Sequence, residues 1–518
     1  MFARIFRWGL FACALQWATP AFADDQGHWL RAESTHFIVY GHLEERTLRS
    51  VVHRLELFDA ELRALGSAPA EEANKFEIYL VGGISELRTV IPSTSQEILG
   101  FYNTAIDLTA SFAIYGGQHG LASQDVLFHE YTHHFMFHNT RGDYPPWFVE
   151  GYAEFMQTMT FENDQVVIGE FDPGRVNDII HFENWPSIEQ FLSQSPDFSD
   201  PRRASSYYGE SWLAVHYIQY TPGRLAQFHA YLQALENGGD PITAFQPAFG
   251  MTPAQFETEL HRYATQRLMH SNGPAPRVDD ADVQITRLPP SADDLLLPVA
   301  RMRLGAVSDA DAPAFAAQIE RLASHYPDDT FAQYARARAA MANKNLSGAR
   351  AILQPMLAAQ ADDVEANMLM GKTYIQEASA APAGGNANAI AAQGRRYFAQ
   401  AFRGDPNNVP TLYYYAESYM FGGEPMTDDA VNVLVRAYNL APQVPAISIN
   451  TASVLMHRRR FREAVGILRP IAYSPHGGSK AAVELLNAAL HGQEPGDGPI
   501  SDDEDSAEPK PPAPPPAH

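Results

Sequence analysis

Two short runs dense in β-branched and aromatic residues, HFIVY over His36–Tyr40 and FEIYLV over Phe76–Val81, flank a stretch from Arg46 to Leu65 with apolar residues at helical spacing. The pattern predicts strand, helix, strand. From Gly100 to Tyr115 apolar and small polar residues alternate between bracketing glycines, which predicts one or two further strands. A helix that Ser123 can cap follows. Helical periodicity returns over Trp147–Met159, Tyr207–Gln219, Leu225–Leu235 and Pro253–Arg267. Strands first and helices after make residues 24–270 an α+β domain. Residues 271–295 lose all periodicity in SNGPAPRVDDADVQ and LPPSADD and read as a linker.

Over residues 296–492 the chain turns rich in Ala, Leu and Arg, and a Pro or small residue beside a polar one recurs at Pro327, Ala361, Pro406, Pro442 and Pro475. The steps are 34, 45, 36 and 33 residues. The long step contains AAPAGGNANA (Ala380–Ala389), an insertion of about 11 residues whose removal restores a period near 34. The segment resembles tetratricopeptide repeats, with Ala349 and Ala464 where such repeats place a small residue in their second helix. The resemblance implies an all-α solenoid; an irregular helical bundle is the alternative. Residues 493–518 form an acidic and then proline-rich tail, the composition of a solvated, disordered segment.

The chain has 518 residues, 45% of them apolar, enough for two to four domains at about 150 residues each. Its formal net charge of −24 repels phosphate backbones, and no basic run offsets this, so nucleic acid is not an expected partner. Residues 1–23 carry Arg4 and Arg7, an apolar run from Trp8 to Ala18, and Ala21-Phe22-Ala23 before two aspartates. This is the layout of an export signal cleaved after Ala23, and the run is about half the roughly 20 residues that span a bilayer. No other segment approaches a membrane span. The single cysteine, Cys13, lies inside the signal. An exported chain without disulfides fits a bacterial periplasm or the exterior.

Residues 129–133 read His129-Glu130-Tyr131-Thr132-His133. On a helix this spacing puts two imidazoles on one face, able to share one zinc ion, with Glu130 beside them as general base. A third protein ligand is needed, and Glu150 stands 17 residues after His133 in Trp147-Phe148-Val149-Glu150-Gly151-Tyr152-Ala153-Glu154-Phe155. His134 and His138 project about 100° and 140° away from the first imidazole pair and read as packing or surface residues. An extended HExxHxxGxxH motif would need histidine where Asn139 stands.

These two motifs, in this order, resemble the gluzincin metallopeptidases of the thermolysin and aminopeptidase N type. WFVEGYAEF is similar to the WxxEGxA signature of the aminopeptidase branch. The resemblance implies a multidomain protein, an α+β zincin-like metallopeptidase domain followed by the tetratricopeptide-like solenoid. It implies one Zn2+ per chain held by His129, His133 and Glu150. Glu154, one turn after Glu150, matches an acidic residue that orients the first zinc histidine; a solvated helix glutamate is the other reading. YGESWLAVHYI from Tyr208 is similar to the YxKGxxxLxxL helix start whose tyrosine stabilises the oxyanion. Here Glu210-Ser211 replaces lysine-glycine, and Tyr207 competes with Tyr208.

Upstream, Leu99-Gly100-Phe101-Tyr102-Asn103 stands where aminopeptidases carry the GxMEN motif that binds a free amino terminus. An endopeptidase is therefore expected rather than an aminopeptidase. The Gly100–Tyr115 strand would pair with an extended peptide or protein substrate by β-augmentation. The repeats would offer a surface to a partner protein. The alternative is an envelope scaffold built on the repeats, with an inactive or structural metal site.

Overall fold

The computed structural model describes residues 27–500 apart from 67–73, 97, 116–121, 140–143, 172–174, 195–199, 280–281, 383–384, 422–425, 473–478 and 497–499. The expected export signal, the tail beyond residue 500 and the Pro475 landmark lie outside the described residues. The first half opens with β1 (Leu30–Glu33), β2 (Phe37–Gly41), α1 (Glu45–Gly66), β3 (Phe76–Val81), α2 (Ile84–Val90), β4 (Gly100–Thr104) and β5 (Thr109–Ile114). Helices α3 (Ala122–Asn139) and α4 (Pro146–Gln157) lead to a short hairpin, β6 (Thr160–Glu162) and β7 (Gln165–Ile168). Then come α5 (Val176–Ile180), α6 (Ile188–Ser193), α7 (Pro201–Tyr220), α8 (Arg224–Glu236), α9 (Pro241–Phe249) and α10 (Pro253–Ala264), followed by β8 (Ser271–Pro274) and β9 (Gln284–Arg287).

Six strands form one mixed sheet in the order β4-β5-β3-β2-β1-β9. β2, β3 and β5 run parallel, and the remaining pairings are antiparallel. The alternation seen in the sequence sets the two faces. Phe37, Val39, Phe76, Ile78 and Leu80 pack under α1 and α3 in one core. Tyr79, Phe101 and Phe112 stack on the other face at 4.7 and 5.0 Å between ring centres. That second face is closed by α2 and by α11 (Ser291–Arg303), through Leu87, Val90, Ala292 and Leu296.

Residues 271–295 are therefore not a linker. β8 pairs with β7, β9 pairs with β1, and α11 buries Ala292, Leu296 and Leu297 against the sheet. The two strands escaped the hydrophobic pattern because both are short edge strands, SNGP and QITR, that leave most of their side chains exposed.

Beyond α11 and α12 (Ala312–Ala323) the helices come in packed pairs: α13 (Thr330–Ala342) with α14 (Leu346–Ala359), α15 (Val364–Ser379) with α16 (Ala387–Gly404), α17 (Val409–Glu417) with α18 (Asp428–Leu440), and α19 (Pro445–His457) with α20 (Phe461–Ala472). α21 (Lys480–Leu490) packs on α20. First helices start at Thr330, Val364, Val409, Pro445 and Lys480, which are 34, 45, 36 and 35 residues apart. Pro327, Ala361, Pro406 and Pro442 each stand three residues before such a start, in a turn closed by the same bond. The N–H groups of Asp329, Asp363, Asn408 and Val444 donate to the carbonyls of Tyr326, Gln360, Asp405 and Ala441. Asp329, Asp363 and Asn408 then cap the helix, accepting from the third N–H beyond at 2.8–3.0 Å. The landmark was legible because turn and cap demand particular residue types at fixed offsets. Ala349 and Ala464 are fully buried on the second helices α14 and α20. The protein thus joins a mixed-sheet half to a large, tetratricopeptide-like helical half. Among the described residues no helix is long and apolar enough to cross a membrane.

One buried histidine is expected to make the sheet half acid-sensitive. His216 on α7 is enclosed, with Tyr263 Oη 2.9 Å from Nδ1 and the Met269 carbonyl 2.8 Å from Nε2. Burial pushes its pKa down to about 4, against the opposing pull of the Met269 carbonyl. The unfolded chain binds this proton first, so the contribution is complete above about 6.5 and is lost as pH falls towards about 4. It amounts to at most about 3 kcal/mol. Urea unfolding at pH 7 and pH 4.5 is expected to show a smaller loss for His216→Gln than for the natural chain.

Candidate metal centre

Three helices build the site. On α3 the four-residue spacing brings His129 and His133 onto one face, and Tyr131, on another, donates to Asp59 of α1 at 2.5 Å, fixing the rotation of the helix. α4 starts at Pro146, a residue suited to a first turn, and carries Glu150 and Glu154 one turn apart. α4 lies hard against α7 at Gly151: a Cβ there would stand 2.3 Å from the Ser211 carbonyl oxygen. The glycine of the EGYA run is thus required by backbone contact. Ser211, half of the pair that replaces lysine-glycine, supplies that contact.

The side chains His129, His133 and Glu150 converge. His129 Nε2 and His133 Nε2 are 3.1 Å apart, and Glu150 Oε2 lies 3.6 and 3.5 Å from them. A tetrahedral ion with bonds of about 2.0–2.1 Å spaces its ligands by roughly 3.3 Å, so the triangle has the size zinc needs. All three side chains are at least 95% buried. The donor set of two imidazoles and one carboxylate also suits zinc. Burial pulls both histidines towards neutrality. Glu150, Glu154 and Glu130 nevertheless push His129 up to about 9, while His133, facing the His129 charge, is lowered. The three carboxylates thus favour positive charge in this pocket.

Glu130 faces the same space from α3, and its charge acts on both His129 and Tyr208. The two tyrosines differ in their surroundings. Tyr207 donates its hydroxyl to the Gln194 carbonyl at 2.9 Å and is committed there. The Tyr208 ring lies 6.4 Å from the His129 ring, centre to centre. Burial and the charges of Glu150, Glu154 and Glu130 hold the Tyr208 hydroxyl well above its ordinary pKa, so it stays a proton donor. Glu210 is fully buried and raised in the same direction by burial and by Glu257 of α10.

The part expected of Glu154 changes. Its Oε1 is 3.6 Å from His129 Nδ1, too long for a hydrogen bond. The carboxylate instead accepts from Arg175, Nε at 3.0 Å and Nη2 at 2.5 Å, and from Gln157 at 2.8 Å. A two-pronged charged donor outcompetes an imidazole for the same oxygens. Glu154 is not a solvated helix glutamate either, being fully buried.

No family model matches the chain, and no curated protein matches it. Among solved structures it is similar to a thermophilic TPR protein of Thermus thermophilus, at 19% identity over 39% of this chain and 98% of that one, with a TM-score of 0.31.

His134 and His138 stay off the centre. His134 stacks on Phe76 at 4.1 Å and meets the Tyr102 hydroxyl at 3.3 Å, while His138 reaches Gln443 of the helical half. The residue that sequence reasoning missed is Arg175. It is 1% exposed, bridges Glu154 and Asp178, and places its guanidinium 5.7 Å from the centre of the Tyr208 ring. Its only sequence signal is a lone arginine just ahead of the short helix α5, and a tertiary ion pair leaves no local periodicity.

Proposed function

We propose that the protein is an exported zinc-dependent hydrolase that cleaves peptide bonds, acting as an endopeptidase. The observation that carries this is the triangle of His129, His133 and Glu150, sized for one tetrahedral ion, with a further carboxylate and a protonated tyrosine at its edge. A zinc ion held by these three residues would polarise a carbonyl and acidify a water towards pKa of about 7.

The chain's own groups supply the rest. Glu130 takes the proton of the attacking water and delivers it to the departing amine. The Tyr208 hydroxyl donates to the oxygen on which negative charge develops, and the Arg175 cation over its ring steadies that side chain. Arg175 also neutralises Glu154, which leaves the pocket less negative than its sequence suggests. β4 is an edge strand and packs beside α3, where Val126 occupies the space a Cβ on Gly100 would need. An extended substrate adding to that edge would run alongside the metal helix, which supports the β-augmentation expected above. An intact general base at position 130 favours catalysis over a structural ion.

The test is a mixed peptide library incubated with the zinc-loaded protein and read by mass spectrometry. Internal cleavages that disappear after chelation and return with zinc are expected. A library left intact by a protein shown to hold zinc would remove the peptidase reading and favour the scaffold.

A further inference from the structure

The turn between β4 and β5 is closed by its backbone alone: Ala105 and Leu108 exchange N–H···O bonds of 2.8 and 3.3 Å, leaving Ile106 and Asp107 at the tip. That tip is inserted among the first helices of three successive pairs. Asp107 Oδ2 lies 3.3 Å from Arg338 of α13 and pairs with Lys372 of α15, and Oδ1 accepts from the Tyr414 hydroxyl of α17 at 2.9 Å. The Asp107 carbonyl accepts from Arg303 at 3.1 Å, and Ile106 packs against the core of the repeats. The aspartate is 6% exposed; although burial alone would raise its pKa, Lys372 and Arg338 hold it below the ordinary range.

The hairpin has no need of this charge for its own geometry. The groups that meet the Asp107 carboxylate and Ile106 belong to the helical half: two cations, a hydroxyl and an apolar seat. The neighbouring first helix binds main-chain groups as well. Asn450 of α19 accepts from the Ile500 N–H at 2.9 Å and donates to its carbonyl at 3.1 Å, beside Tyr413. First helices of the repeats thus hold an acidic side chain at one place and the main-chain groups of a single residue at another.

We propose that the first helices around Asp107 form a binding surface for an acidic strand, that Asp107 fills it as a ligand in cis, and that an exposed aspartate flanked by aliphatic residues on another protein takes its place. A tethered ligand competes at an effective concentration of about millimolar or above, so binding in trans is suppressed in the natural chain. The inference stands apart from the chemistry of the metal centre.

The probe is a fluorescent peptide of the hairpin's own sequence, NTAIDLTA (residues 103–110), titrated into the full chain and into Asp107→Ala. Binding at least tenfold tighter to Asp107→Ala is expected, lost when the peptide aspartate is made asparagine and weakened at least tenfold by adding Lys372→Met. Equal affinity for the two proteins, or none for either, overturns the proposal. Should circular dichroism show Asp107→Ala unfolded, hydrogen exchange of the natural chain decides. Millimolar peptide is then expected to speed exchange of the Asn103–Thr109 amides, and unchanged exchange overturns the proposal.

Discussion

Glu130→Gln is expected to lower peptide turnover by about 10²–10⁴-fold while leaving zinc bound. The side chain is 4% exposed, lies outside the triangle of three donors, and keeps its volume in the amide. What the variant loses is the capacity to accept a proton. Steady-state assay on a cleaved library peptide, beside metal analysis of the same preparation, separates the two effects. Undiminished turnover would take the general-base part away from Glu130, and loss of metal would make it a ligand.

The paired variants Tyr208→Phe and Tyr207→Phe are expected to split cleanly. Removing the Tyr208 hydroxyl should cost about 10²–10³-fold in kcat with little change in KM or in zinc content, because a donor to a developing oxyanion acts in the transition state. Removing the Tyr207 hydroxyl leaves the Gln194 carbonyl without its partner and should cost about 1–3 kcal/mol of stability with kcat preserved. Chemical denaturation and kinetics on both proteins check this. The reverse pattern would exchange the two tyrosines.

The elements that were legible in the sequence are those whose information is local. The triangle of His129, His133 and Glu150 needs only residues four apart on α3 and one residue on α4, and each helix presents them by its own periodicity. The repeat turns needed a proline or alanine and a capping Asp or Asn at set offsets, and the helices start where those residues predict. Residues without local grammar stayed hidden. Arg175 reaches Glu154 across 21 positions of sequence, and nothing near either residue announces the other. β8 and β9 are edge strands with few buried side chains, so the stretch that holds the two halves together looked like a linker. The insertion of Asp107 among the repeats depends on how two halves meet, which no single stretch encodes. That Tyr207 is tied to the Gln194 carbonyl, while Tyr208 is the one beside His129, likewise has no local signal.

The central claim is that His129, His133 and Glu150 hold one zinc ion. Elemental analysis of the purified natural protein beside His129→Ala and Glu150→Ala, each dialysed against zinc and then buffer, tests it most directly. The account predicts about one zinc per chain in the natural protein and a sharp loss in both variants, with circular dichroism unchanged. Equal zinc in all three proteins, or none in the natural chain after zinc is supplied, would contradict it.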